Sequence, residues 1–234
     1  MAPFAVREPP VVVDRQPGPL GEWVLRRRRL PDGHVYEMIA NGAFLMDSRE
    51  HGSEEALARL GVEGLVADPP EVLVGGLGFG YTLRAVLDAG AGPVTVAELA
   101  PAVVQWVRGP LRHLAGAPLT DPRVTVHVGD VAALTAGADA RWDAILLDVD
   151  NGPEFLVHES NAGLYTPEGL RRMHRALSPG GRLALWSSSP SPRFHAALRA
   201  VFGDARARPL PVHREGHRFE YVVYVADREP GPCP

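Results

Sequence analysis

Apolar positions fall into two regimes along the chain. In the first third they come in short stretches broken by turn residues. Trp23–Leu30, His34–Ala40 and Phe44–Met46 read as short strands, linked by Pro31-Asp32-Gly33 and Asn41-Gly42, dipeptides and tripeptides with hairpin chemistry. Ahead of them the Pro-rich residues 1–20 carry little pattern and read as an irregular arm. Ser53–Leu60 reads as a short helix with Ser53 as its N-cap, and Asp68-Pro69-Pro70 is a break.

Beyond that break the apolar runs become continuous and alternate with helix-spaced segments. Val72–Gly75, Val94–Glu98, Val124–Val128, Trp142–Leu147 and Arg182–Trp186 read as strands. Thr82–Ala89, Ala102–Val107, Val131–Thr135, Pro167–Leu177 and Pro192–Phe202 read as the helices between or after them. The helix from Pro167 is expected to close at Pro179-Gly180-Gly181, and Phe219–Ala226 to pair with a segment near Ala207–Leu210. Repeated strand–helix units with nearly continuous apolar strands describe a parallel sheet covered on both faces. The chain divides on this reading into residues 1–65, an arm with a small β-hairpin unit and short helix, and residues 66–234, the α/β domain.

Composition narrows the class. At 234 residues and 45% hydrophobic content the chain can bury a real core. The formal net charge is −4 and all 24 basic side chains are arginines, so no basic face suggests nucleic acid as a partner. The run Arg26–Arg29 is expected on a solvated edge strand, with alternate side chains on opposite faces. A single cysteine, Cys233, excludes an internal disulfide or a CxxC metal site. The start MAPFAVREPP lacks the apolar core of a signal peptide. No run approaches a membrane span, and a soluble cytoplasmic protein is expected.

The candidate chemistry collects at strand ends. Strand Val72–Gly75 runs into Gly76-x-Gly78-x-Gly80 and then a helix, a turn that brings backbone and free helix N–H groups close to a ligand. The next strand ends in Glu98, about 20 residues on, the place of an acid that holds a ribose diol. Asp130 ends the following strand, as a helix cap or as an acceptor for an adenine amino group. Asp148-Val149-Asp150-Asn151 follows Ile145–Leu147. Its two carboxylates suit either loop capping or the orientation and deprotonation of an amine. Tyr165 and Trp186 could line the same pocket or belong to the core. Asp47, Glu50, Glu54 and Glu55 form an acidic cluster expected to be solvated at a helix start, although it would suit a cationic substrate. His158 and His174 have no metal-ligand spacing, and no metal is expected.

These segments together resemble the spermidine synthase (polyamine aminopropyltransferase) family, within the Rossmann-like S-adenosylmethionine-dependent transferases. VLVGGLGFGYTLRAVL resembles its glycine-rich loop, VTVAELAPAVV its acid-ended second strand, and DPRVTVHVGDVAAL its Asp-Pro-Arg strand ending in Gly-Asp. WDAILLDVDNGP stands in the place of its Asp-Ser-x-Asp-Pro, and LYTPEGLRRMHRALSPGGRLAL resembles the helix and Pro-Gly-Gly turn after it. The resemblance implies a Rossmann-like, doubly wound, mostly parallel seven-stranded sheet with a small N-terminal β-hairpin unit. It implies Gly76, Gly78, Gly80, Glu98 and Asp130 at the cofactor, with Asp148 and Asp150 as the catalytic acids. Substrate contacts would come from Phe79, Glu54, Asn151 and Tyr165, and the protein would be a homodimer.

The chain departs from the family around the amine sites. Phe79 stands where the family has an acid that helps hold the donor's aminopropyl amine. Ser53-Glu54-Glu55 stands for its Tyr-His-Glu, and Asn151 for its second loop acid. The expected activity is therefore transfer of an alkyl group to a small amine, with two donors open. Decarboxylated S-adenosylmethionine would supply aminopropyl, and S-adenosylmethionine itself would supply methyl. A reaction within the cofactor and a non-catalytic cofactor-binding subunit are the remaining alternatives.

Overall fold

The computed structural model describes residues 9–18, 21–31, 33–149, 151–156, 159–214 and 217–231. Asp32, Asp150, His158 and Cys233 lie outside the described residues. The chain forms two compact units, Met1–His51 and Gly52–Pro234. The short helix grouped above with the N-terminal hairpins packs instead within the second unit.

The first unit is a four-stranded antiparallel sheet in the order β1 (Val11–Gly18), β2 (Gly21–Leu30), β3 (Gly33–Ala40), β4 (Ala43–Asp47). Two expectations are corrected here. Residues 11–18 are not an irregular arm: they pair along most of β2, with a register shift between Val12 and Asp14. The arginine run does not lie on an edge, because β2 is enclosed by β1 and β3. Its side chains do alternate, and Arg26 and Arg28 both reach Glu37 at 2.5 and 3.0 Å. Glu37 is buried, so the two guanidinium groups supply the compensation that a buried carboxylate requires. The Asn41-Gly42 turn takes positive φ at both residues, 50° and 78°, the backbone of a two-residue hairpin turn.

The second unit is a doubly wound α/β fold. Its helices are α1 (Gly52–Val62), α2 (Tyr81–Asp88), α3 (Pro101–Arg108), α4 (Val131–Ala136), α5 (Pro167–Ala176) and α6 (Pro192–Phe202). Its strands are β5 (Val72–Gly75), β6 (Val94–Glu98), β7 (Val124–Val128), β8 (Trp142–Leu147), β9 (Leu177–Ser187), β10 (Ala205–Arg214) and β11 (His217–Asp227). The seven strands run β10-β11-β9-β8-β5-β6-β7. The five from β9 to β7 are parallel, and β11 and β10 join antiparallel. The order reverses at β5, the switch point where ligands of such sheets bind.

Burial follows strand parity. Leu73, Ile145, Leu147, Leu183 and Leu185 face Leu170 and Met173 of α5 and Phe194, Leu198 and Phe202 of α6 in one core. Leu146 points the other way and meets Gly61 of α1, which packs beside α2. Two boundaries differ from expectation. Ser53 is not the N-cap of the short helix, because α1 already begins at Gly52; its hydroxyl donates to Glu54 instead. Pro179-Gly180-Gly181 lies inside β9, which starts directly after α5: residues 178–181 bulge out between the pairs Leu177–Trp142 and Arg182–Ala144, with Gly180 at φ 80°.

Arginines of the sheet terminate helices. Arg182 on β9 donates to the carbonyls of Leu60 and Glu63 at 3.1 and 2.7 Å, closing the C-terminal end of α1. Its Nε donates at 2.5 Å to Asp227, the last residue of β11. Arg228 does the same for α5, donating to His174, Arg175 and Leu177 carbonyls. Last-turn carbonyls have no partner within their own helix, and a guanidinium with five donors can serve several at once. Among the described residues, no helix is long and apolar enough to cross a membrane. Replacing Arg182 by Met keeps the stem and removes the donors; the expected cost is about 2 kcal/mol in urea unfolding.

Candidate active site

The site grows from the end of β5. Gly76 leaves the strand with φ 89°, and a Cβ there would lie 2.2 Å from the carbonyl oxygen of Asp148. Only a hydrogen fits, and the ends of β5 and β8 can therefore touch. The contact is completed by the Asp148 amide donating to the Gly75 carbonyl at 2.8 Å. Gly78 and Gly80 also have positive φ, 49° and 90°, and Gly80 is the N-cap of α2 with no side-chain cap. The first N–H groups of α2 thus open at the carboxyl ends of the central strands, where an anion or a polar ligand is favoured.

Glu98 closes this loop from the side. One carboxylate oxygen accepts the Leu77 amide at 2.9 Å and the other the Ala100 amide at 2.8 Å. Burial pushes its carboxyl up, while the surrounding backbone amides hold it down. The Leu99 and Gly78 amides also face this carboxylate, so the acid is tied to both the glycine loop and the start of α3. Asp130 caps α4, its Oδ1 accepting the Ala132 amide at 2.8 Å.

The acids are brought together by three elements. Asp148 at the end of β8 accepts the Thr82 hydroxyl of α2 at 2.5 Å. Glu54 in the first turn of α1 accepts the Ser53 hydroxyl at 2.6 Å and is 7% exposed. The expectation of a solvated acid at Glu54 is thereby corrected: α1 lies on the sheet, and its first turn faces inward. Burial raises the Glu54 carboxyl from 4.5 to about 7, with the nearby Asp148 charge, and to a lesser degree Glu55, adding to the rise. Burial also raises Asp148, against the Thr82 hydrogen bond, which favours its ionised form. Two carboxylates that repel each other in a dry setting favour the state in which one of them carries a proton. Asp47 of the same sequence cluster is also buried, in the other unit.

The remaining candidates surround this pair unevenly. Phe79 is 1% exposed, its ring 6.2 Å from that of Tyr81. Tyr165 donates its hydroxyl to the Val149 carbonyl at 3.3 Å and sets its ring edge-on to Phe194. The Asn151 carbonyl accepts the amide and hydroxyl of Ser188 at 3.1 and 2.6 Å. Trp186 shares a sheet face with Arg182, the α1 side, and stands edge-on to Tyr221 at 5.0 Å. Its indole N–H is buried without a partner among the described residues. Spacing had singled out neither Thr82 as a partner of Asp148 nor Tyr221. Thr82 lies 66 residues from Asp148, and only the topology joins them.

Comparison with known proteins agrees with this geometry. The spermine/spermidine synthase domain matches residues 50–198. A polyamine aminopropyltransferase of Nitrosomonas europaea is 36% identical over 148 residues, 59% of this chain and 43% of that protein. One from Korarchaeum cryptofilum is 27% identical over 141 residues, 58% of this chain and 42% of that protein. A putrescine N-methyltransferase 2 of Nicotiana attenuata is 33% identical over 122 residues, 50% of this chain and 31% of that protein. The chain thus spans less than half the length of these curated relatives. In fold it is similar to a spermidine synthase solved in complex with the transition state analogue AdoDATO. The TM-score is 0.78 at 20% identity, covering 95% of this chain and 75% of that one. It is also similar to the spermidine synthase of Thermotoga maritima, with TM-score 0.74 at 19% identity, covering 95% and 74%. With the domain matched over more than half its length, the chain belongs to the spermine/spermidine synthase family.

Proposed function

We propose that this chain transfers an aminopropyl group from decarboxylated S-adenosylmethionine to a small amine. The observation that carries the reading is the buried Glu54–Asp148 pair beside the glycine loop. The loop supplies a fit for the nucleoside: Gly76, Gly78 and Gly80 take positive φ and put no side chain over the start of α2, and the Glu98 carboxylate stands against the loop amides. The sulfonium donor supplies an electrophilic carbon and a neutral thioether leaving group.

The residues of the chain do the rest. An alkylammonium that enters near Asp148 and Glu54 meets a pair with about one negative charge. Attack requires the neutral amine, and Asp148 is the base that takes its proton while Thr82 fixes one of its oxygens. As the nitrogen–carbon bond forms, the carbon–sulfur bond breaks and its electron pair stays on sulfur. Positioning and field contribute more here than covalent help from the protein. Trp186 and Tyr221, on the α1 face of the sheet, give an alkylammonium an aromatic wall. Asp150, outside the described residues, would assist from the same loop.

A second reading is methyl transfer from intact S-adenosylmethionine. It is favoured by Phe79, which offers no charge to a donor amine, and by the similarity to the Nicotiana attenuata putrescine N-methyltransferase 2. Calorimetric titration with both donors and their thioether products separates the two. Tighter binding of the decarboxylated donor is expected; preference for the intact one favours methyl transfer, and no binding of any of them sinks the site.

Asp148→Asn is expected to keep nucleoside binding and lose about 10²–10⁴-fold in turnover with an amine acceptor. Undiminished turnover in that variant would remove Asp148 as the base. The pair also leaves a mark on stability. Glu54 holds its proton up to about pH 7 in the folded chain but only to about 4.5 when unfolded, so stability falls as pH rises through that window. Glu54→Gln is expected to flatten this fall and to raise stability at pH 8 by roughly 1–3 kcal/mol. Thermal unfolding at pH 5 and pH 8 measures it, and a parent protein with no such slope would contradict a proton held by the pair.

A further inference from the structure

The stretch that follows Asp148 is fastened to a serine-rich connector it does not pair with as a strand. That connector, Ser187–Ser191, joins β9 to α6 and makes three separate contacts with residues 151–154. The Asn151 carbonyl takes both donors of Ser188. Gly152, at φ 99°, lies so close that a Cβ would sit 2.2 Å from the Ser187 hydroxyl. Ser191 donates its hydroxyl to Glu154 at 2.5 Å. That last bond ties an exposed glutamate to a buried serine.

Ser191 is itself held on every side. Its oxygen also accepts the Phe194 amide as the N-cap of α6. Its backbone N–H donates to the Tyr224 hydroxyl at 2.6 Å, and its carbonyl accepts that hydroxyl at 3.3 Å. A surface loop needs no partner of this kind for solubility, and Glu154 could have been left in water. Ending the bond on a rigid, buried serine fixes a loop position.

We propose that Glu154 and Ser191 are positioning residues: their hydrogen bond latches the loop after β8 and thereby holds Asp148 and Asn151 in register with the site. The effect on chemistry rests on the function proposed above, whereas the latch itself does not. Releasing it leaves Asp148 bonded to Thr82 and the Asn151 carbonyl bonded to Ser188, but removes the outermost of the three contacts, so the loop at Glu154 samples more conformations and the acids are less often placed.

Glu154→Ala removes the latch without touching the α6 cap, and Glu154→Gln keeps a carbonyl acceptor for Ser191. Phe155, 62% exposed, reports the loop directly as a chymotrypsin site. In the ligand-free protein, Glu154→Ala is expected to be cut after Phe155 about tenfold faster than the parent, with Glu154→Gln near the parent. The thermal unfolding midpoint of Glu154→Ala should fall by no more than a few degrees, the share of one hydrogen bond, and that of Glu154→Gln should match the parent, separating loop release from general destabilisation. With an amine acceptor, Glu154→Ala should lose about tenfold in kcat/KM while nucleoside affinity stays unchanged. Equal cleavage of Glu154→Ala and parent would overturn the latch. Faster cleavage with unaltered kcat/KM would overturn the positioning role. Should the protein bind no adenosyl donor, the function above fails, and the cleavage comparison still decides the latch.

Discussion

The site depends on a contact between two strand ends that only a missing side chain permits. At Gly76 the backbone leaving β5 passes against the Asp148 carbonyl closely enough to exclude a methyl group. The Asp148 amide bonds the Gly75 carbonyl in the same crossing. Everything polar in the site is referenced to that crossing. It turns the glycine loop toward Glu98, starts α2 so that Thr82 reaches Asp148, and brings Asp148 under the first turn of α1. A doubly wound sheet supplies the crevice in general terms; this contact sets where the acids stand within it.

Much of the second unit is legible in the sequence because its central strands are buried on both faces. Val72–Gly75 is an unbroken apolar run and Val94–Glu98, Val124–Val128 and Trp142–Leu147 are rich in apolar residues, and the structure gives all four the same bounds. The glycine spacing and the acid-ended β6 are local signals of the same kind. What stays illegible are effects that partners decide. Val11–Val13 lead into polar residues and a proline, so β1 shows only once β2 is beside it. The arginines of β2 look solvated until Glu37 is known to be buried between two of them. Pro179-Gly180-Gly181 has turn chemistry, and the structure uses it as a bulge inside β9, between the pairs that Leu177 and Arg182 make with β8.

The acids illustrate the same limit at the site. Glu54 stands at a helix start, where acids are ordinarily solvated and favoured by the helix field. Its burial comes from α1 lying on β8 and β9, and the sequence carries no local trace of that. Thr82 and Asp148, or Ser191 and Glu154, are distant along the chain and complementary only after folding. Asp130 shows the opposite case: its capping role is written in the adjacent helix.

Arg182 gives α1 the character of a lever. The helix is 11 residues long, about 16 Å at 1.5 Å per residue. Its far end is pinned by a guanidinium that also grips Asp227 at the end of the antiparallel hairpin. Glu54 rides on the other end. The hairpin formed by β10 and β11, remote from the glycine loop in sequence, is therefore tied through one guanidinium to the helix that carries Glu54. Two stretches with no shared residues thus have one anchor in common.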